Sequence, residues 1–421
     1  MATDPSSKLT TDRLALVYLL SKTFNSSLDL EDVLNTVMDE VVTVTRAERG
    51  FVVLRNDSGR LDFRAARGVE QETIDQPEFQ ISRGVIESVV REGEGMLTSD
   101  AQQDKRFMAR QSVMSLGLRS ILCAPLRVKE RVLGAIYVDN RLHAGIFTPE
   151  DLELLNAIAS SAATAIENAR LYQVAVEKGR MERELSMARR VQSGLIPEKV
   201  PELEGWQFAS SWLPAREVAG DFYDFVPLDS GRMGLVIADV TDKGMGAALF
   251  MALTRSMLRA SLVDSIIPSE AMTKANRLIC MNSTSPVPVT VFYGRVDPES
   301  GEIIYVNAGH NPPLLYRRAS GALEMLHRTG MVLGLDESVE LEQSSVHLQS
   351  GDVLVLYTDG VTDALNSAER AFGEDRLREV ILANGAGSAK KVCHGLLQAL
   401  QGFIQGAEPF DDITLLVAKR E

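Results

Sequence analysis

In Gly234-Leu235-Val236-Ile237-Ala238-Asp239-Val240-Thr241-Asp242-Lys243-Gly244 an apolar run passes into two acids and a glycine. A short apolar run bounded by turn residues is the pattern of a buried strand, so Asp239 stands where that strand ends. Three other acidic clusters stand at the same kind of place: Gly220-Asp221-Phe222-Tyr223-Asp224, Tyr357-Thr358-Asp359-Gly360 and Asp411-Asp412-Ile413-Thr414. Carboxylates from distant segments repel one another unless a positive charge lies between them. An all-oxygen set of this kind suits magnesium or manganese.

Around these clusters, periodicity predicts strands over residues 206–213, 222–228, 234–239, 290–296, 302–307, 339–348, 353–358 and 413–418. Helices are predicted over 245–262, 269–280, 376–382 and 389–404. Strand runs interleaved with helical pairs imply two sheets sandwiched between helices. Upstream, a helix over 28–44 precedes strands at 51–54 and 61–65, which flank the turn Asn56-Asp57-Ser58-Gly59. A helix over 84–91 and strands over 120–128 and 131–138 complete an α+β domain with an antiparallel sheet, a layout that leaves room for a pocket beneath its loops.

Between the halves, Asp151 to Leu195 contains no proline. Leu155, Ile158, Ala162, Ala165, Ala169, Tyr172 and Val176 alternate three and four apart, as a coiled-coil seam does. A second seam, Met181, Leu185, Ala188, Gln192 and Leu195, is out of phase with the first, and the slip falls at Gly179. Two readings follow: a helical connector that pairs two protomers and changes register, or two helices abutting at a charged junction.

The chain has 421 residues, 45% hydrophobic, enough for two or three domains. A formal charge of -14 argues against nucleic acid, whose binding needs Lys and Arg on phosphates. Three dispersed cysteines, Cys123, Cys280 and Cys393, offer neither a disulfide framework nor a CxxC site, which points to a reducing, cytoplasmic setting. The polar start of the chain and the want of an eighteen-residue apolar run predict a soluble protein with no membrane contact.

Residues 12–168 resemble the GAF family of small-molecule sensory domains, through Ser120-Ile121-Leu122-Cys123-Ala124-Pro125-Leu126, Leu133-Gly134-Ala135-Ile136-Tyr137-Val138-Asp139-Asn140 and Phe147-Thr148-Pro149-Glu150-Asp151. Asn140-Arg141, Phe147 and Asp151 are similar to part of a cyclic-nucleotide motif, but Leu152 stands where that motif has an acid. The plainer reading is a turn anchored by Asn140 and a helix start capped at Thr148. Cys123, in an apolar strand, reads as core packing, with a haem or bilin role for it or His143 unsupported.

The C-terminal part resembles the SpoIIE-like branch of the metal-dependent PPM serine/threonine phosphatases. The likeness rests on Glu217-Val218-Ala219-Gly220-Asp221-Phe222-Tyr223-Asp224, the Asp239 stretch, Asn307-Ala308-Gly309-His310-Asn311-Pro312-Pro313, Tyr357-Thr358-Asp359-Gly360-Val361-Thr362-Asp363-Ala364 and Asp411-Asp412-Ile413-Thr414, in the family's order. The resemblance implies that Asp239 bridges two Mn2+ or Mg2+ ions, that the Val240 carbonyl binds one, that Asp359 and Asp411 complete the second site, and that Asp221 holds a metal or its water. Two bridged cations would activate a water and neutralise phosphoryl charge, with no protein nucleophile. The departure at Val332, where the family usually has proline, affects a loop and leaves the acids intact.

Lys243 or Arg216 is read as a phosphate contact or a solvated charge, and His310 as a general acid or, with Asn311, the anchor of a turn. Gly244, Gly246, Ala247 and Ala248 supply a helix start with little side-chain bulk. The expectation is an α+β multidomain protein: a GAF-like domain at 12–168, a helical coiled-coil linker at 169–195 and an αββα phosphatase domain at 196–421. Its implied substrate is a phosphoprotein, by resemblance an anti-sigma-factor antagonist, with an unknown small-molecule or protein signal at the GAF domain and a homodimer as the working state. A non-catalytic, ligand-sensing dimeric scaffold is the alternative. Nucleotide cyclase chemistry does not fit the motif order.

Overall fold

The computed structural model describes residues 5–56, 58–68, 70, 72–74, 81–101, 104, 118–283, 285–407 and 410–421. The chain divides into two compact units, Met1–Arg180 and Met181–Glu421.

The first unit is a five-stranded antiparallel sheet of β1 (Arg49–Arg55), β2 (Leu61–Gly68), β3 (Met96–Thr98), β4 (Ser120–Val128) and β5 (Arg131–Asn140), in the order β2-β1-β5-β4-β3. Helices α1 (Pro5–Phe24), α2 (Leu30–Thr45) and the start of α4 (Pro149–Ser193) cover one face, and α3 (Arg83–Glu92) packs on the other. Alternation along β5 sends Ile136 and Val138 to the first core and Ala135 and Tyr137 to the second. Arg49 lies opposite Asp139 in the β1–β5 register and clasps it through two nitrogens, so both charges are buried as a pair. Cys123 is buried in the α3-side core, as expected.

The plainer reading of the Asn140 region holds. Asn140 accepts hydrogen bonds from the Leu142 and His143 amides, and Thr148 and Asp151 bond each other reciprocally at the start of α4. Phe147 is buried in the core.

Two expectations for the connector change. Helix α4 runs unbroken through Gly179, which excludes two abutting helices. The first seam is no intermolecular face over most of its length. Leu155, Ile158, Ala162, Ala165 and Ala169 are buried in the unit's own core, because a stripe that suits a partner helix also suits a sheet.

The second unit holds two antiparallel five-stranded sheets. One has the order β13-β10-β9-β8-β7, from β7 (Phe222–Pro227), β8 (Met233–Val240), β9 (Val289–Val296), β10 (Glu302–Ala308) and β13 (Ser344–His347). The other has the order β12-β11-β14-β15-β6, from β6 (Trp206–Leu213), β11 (Leu314–Tyr316), β12 (Leu323–Met325), β14 (Val353–Tyr357) and β15 (Ile413–Arg420). Leu354, Leu356, Leu416 and Ala418 enter the core shared with the first sheet, while their neighbours Val353, Val355, Leu415 and Val417 face α8 (Gly373–Asn384) and α9 (Ala389–Ile404). Helices α5 (Met245–Val263) and α6 (Pro268–Met281) contribute Met251, Leu258, Met272 and Ile279 to the core of the first sheet. The result is the expected αββα sandwich.

The strand expected over 339–348 shrinks to Ser344–His347, since Leu341 turns into the core instead of alternating. The β11–β12 hairpin, around Ser320-Gly321, was too short to register as alternation.

Candidate active site

Antiparallel register assembles the acids two by two. Phe222 pairs with Ala238, so Asp221, just before β7, comes level with Asp239 near the end of β8. Tyr357 pairs with Leu415, so Asp359, opening the single-turn helix α7 (Asp359–Thr362), lies beside Asp411 and Asp412 before β15. The pairs meet because the sheets stack: the hydroxyls of Thr358 and Thr414 donate to one carboxylate oxygen of Asp221, at 2.6 and 2.9 Å.

The packing there admits no added atoms. A Cβ on Gly360 would fall 1.9 Å from the Asp412 carbonyl oxygen. A Cβ on Gly220 would stand 2.9 Å from the Val240 carbonyl oxygen, the atom expected to bind metal, and 3.5 Å from Ala247 Cβ. Gly220 and Gly360 therefore serve close approach of backbone to backbone, whereas a Cβ on Gly244 or Gly246 would meet nothing within 4 Å, and Gly244 is called for by its φ of 89° instead.

The charge is unbalanced. Burial first, then Asp239, pushes the Asp221 carboxyl far above the usual carboxylate range. Burial and the neighbouring Asp359 push Asp239 up to about 7, and burial with Asp411 raises Asp359. Asp412 is also raised, chiefly by burial, although its two oxygens accept the Ala215 and Gly220 amides at 2.8 Å each. Among the described residues the one ion pair made to these five acids is Lys243 Nζ to Asp411, at 2.8 Å.

This donor set fits hard cations in chemistry and in charge. Among the described residues, however, no three acidic, histidine or cysteine side chains converge as ligands of a single ion would. Asp221 is held by its two threonines and Asp411 by Lys243, so those oxygens are turned to protein donors.

Four side chains are placed by contacts that the sequence left open. Lys243 is no solvated charge: it bonds Asp411, donates to the Phe410 carbonyl at 2.7 Å and lies over the Phe410 ring. His310 is buried, bonded through Nδ1 to Thr290 Oγ1 at 2.8 Å and anchored by its amide to Asn307. Burial pushes its pKa down to about 3, so it is neutral at physiological pH, and its contacts are those of a turn anchor. Asp224 points away from the cluster to Arg255 and Arg259 on α5, at 3.0 and 2.8 Å. Asp412, to which the resemblance gave no ligand role, holds the loop before Asp221 through the Ala215 and Gly220 amides. Thr358 and Thr414 were missed as site residues because threonine at a strand end carries no distinctive signal.

The comparisons agree with this geometry. A family model described as Stage II sporulation protein E (SpoIIE) matches residues 229–421, and a GAF domain model matches 27–167. Phosphoserine phosphatase RsbU of Bacillus subtilis is 30% identical over 56% of this chain and 70% of its own length. The chain belongs to the SpoIIE family. It joins a GAF domain to a SpoIIE domain of PP2C type. Protein IcfG of Synechocystis is 32% identical, but the match spans only 41% of that longer protein. The solved SiaA-PP2C domain of Pseudomonas aeruginosa matches with a TM-score of 0.53 at 18% identity, covering 59% of this chain and 99% of that one, which speaks for the fold.

The raised carboxyls set a pH dependence. A native pKa above the unfolded value means that the folded state binds protons the unfolded chain has released, so stability falls as pH rises between the two values. In chelator, Asp239 is expected to cost the C-terminal unit a few kcal/mol in order of magnitude as pH rises from about 4 to about 7. The buried neutral His310 acts in the opposite sense below about pH 6.5, so the loss is read as the stability difference between Asp239→Asn and the unaltered chain, which should grow with pH. Manganese at pH 7.5 should reverse the loss. Scanning fluorimetry of both chains across that range checks it, and a difference in melting temperature that does not grow with pH in chelator would contradict it.

Proposed function

We propose that the protein is a metal-dependent phosphatase acting on phosphoserine or phosphothreonine of a protein, under control of its GAF domain. The observation that carries this is the convergence of Asp221, Asp239, Asp359 and Asp411 from four separate segments onto one junction of two sheets. Asp239, Asp359, Asp411 and the Val240 carbonyl would hold two Mn2+ or Mg2+ ions, with Asp221 beside them. When bound, the cations supply charge neutralisation for the phosphoryl group and acidify water at the site. The chain's own part is positional. Thr358 and Thr414 orient Asp221, Asp412 fixes the loop leading to it, and Gly220 and Gly360 keep the backbone close.

The test is phosphate release from a phosphoserine peptide by the full chain, with manganese and with chelator. Release that needs manganese supports the reading; release that survives chelation sinks it.

By family likeness, the substrate is a phosphorylated antagonist of an anti-sigma factor, and a small molecule or protein signals through the GAF domain. We place the protein in the cytoplasm, in keeping with three free cysteines. No described helix is long and apolar enough to cross a membrane.

The working state is a homodimer joined along the middle of α4, where Leu171, Val174 and Met181 are exposed apolar residues. A chain carrying Val174→Glu and Met181→Glu is expected to elute as a monomer in light-scattering chromatography where the unaltered chain is a dimer. Two monomers, or two dimers, would refute that interface.

A further inference from the structure

Between β10 and β11 the chain crosses from one sheet of the second unit to the other, through residues 309–313. The crossing starts against β9, where Gly309 bridges to Val291, and ends where Leu314 pairs with Val355 of β14. His310, only 1% exposed, therefore stands between the sheets at the end that bears the acids.

Its ring faces both sheets. Nδ1 bonds Thr290 Oγ1 at 2.8 Å, and Thr290 lies directly opposite Asp239 in the β8–β9 register. Residues paired in this way carry their side chains on one face, with Cβ atoms about 5 Å apart. On the other side, the Tyr357 carbonyl is the acceptor that acts on the ring against its burial. Tyr357 is followed by Thr358, which holds Asp221, and then by Asp359. With Nδ1 taken by Thr290, Nε2 is the nitrogen left for that carbonyl; it is buried, and short of ordinary hydrogen-bond geometry with any described group. A carbonyl cannot donate and a neutral imidazole carries one proton, so the arrangement calls for the proton on Nε2 and for the Thr290 hydroxyl as donor to Nδ1.

We propose that neutral His310 is a positioning residue that braces the two sheets across the acid cluster: by spanning Thr290 and Tyr357 it sets how far the Asp239 end of β8 stands from the Thr358 and Asp359 end of β14. A neutral ring suits this place, since a fixed positive charge would repel the ions that the acids are proposed to hold. The brace rests on the phosphatase reading only for the kinetic part of its test.

The test compares the full chain with Thr290→Val, with His310→Phe and with Asp224→Ala, which loses a buried contact facing away from the acids. Thr290→Val keeps the side chain's shape and removes only the hydroxyl, so it decides the matter even if His310→Phe fails to fold. Imidazole 15N spectra are recorded in chelator, the His310 signals being those that move in Thr290→Val. Mn2+ binding is followed by electron paramagnetic resonance, and turnover with p-nitrophenyl phosphate. The proton is expected on Nε2. Half-saturation by Mn2+ should rise about fivefold in Thr290→Val and at least as much in His310→Phe, the scale of one lost buried hydrogen bond. The double variant should bind Mn2+ no worse than His310→Phe alone, because Thr290 acts through the ring. The rate constant should fall with KM little changed, and Asp224→Ala should bind Mn2+ as the unaltered chain does. A proton on Nδ1, unchanged Mn2+ binding in Thr290→Val, or an equal rise in Asp224→Ala would overturn the proposal. Were the unaltered chain to release no phosphate, the phosphatase reading would fail, while the tautomer and Mn2+ binding would still decide the brace.

Discussion

Asp239→Asn is expected to lower manganese-dependent phosphate release by roughly a thousandfold or more, and to raise the stability of the chelated protein. The two effects have one source. Burial, then the charge of the neighbouring Asp359, pushes the Asp239 carboxyl up to about 7, against a hydrogen bond with Asp221 that lowers it. At pH 8 it is charged against that cost, and a neutral amide of the same shape removes the repulsion, a gain of about 1–3 kcal/mol. The same amide could not supply the negative charge that the proposed metal ligand at this position would need. Kinetics at saturating manganese and urea unfolding in EDTA at pH 8 read the two sides separately. A variant that loses activity and stability together would mark Asp239 as structural, and one that keeps activity would remove it from the site.

Asp224→Ala is expected to cost about 3–5 kcal/mol, the scale for removing one partner of a buried ion pair. Asp224 is 2% exposed and takes two arginines one helical turn apart on α5, so it ties that helix to β7. Arg259 can turn to water, being 42% exposed, but Arg255, at 13%, is left as a largely buried charge. Adding Arg255→Met should recover part of the loss, since an apolar side chain then fills the place of an uncompensated one. Urea unfolding of the C-terminal unit measures both. A loss below about 1 kcal/mol, or no recovery in the double variant, would show that the pair is dispensable. Manganese binding should persist in Asp224→Ala, because that acid faces away from the cluster.

Asp221 and Asp224 illustrate how much the sequence carries. They stand three residues apart in one motif, and the acid-rich pattern treats them alike. One lies before the strand and meets the opposite sheet; the other lies within it and meets a helix. The motif order was enough to identify the fold, but the facing of each side chain required knowing what covers each surface. His310 and Lys243 divide in the same way. Sequence offered two roles for each, and only the folded chain shows His310 buried beside Thr290 and Lys243 paired with Asp411.

The strand ends that bear the acids, the αββα order and the antiparallel GAF sheet were legible because alternation and turn residues are local properties, set by backbone geometry over a few residues. Periodicity states that Leu155, Ile158, Ala162, Ala165 and Ala169 share a face of a helix, not whether a sheet or a second helix will cover it. The sheet covers it here. Thr358, Thr414, Asp412 and Gln192 acquired their partners only in the folded chain. Their partners lie 27 to 197 residues away, and a hydroxyl or amide acquires a role only when packing removes water and leaves a single partner within reach.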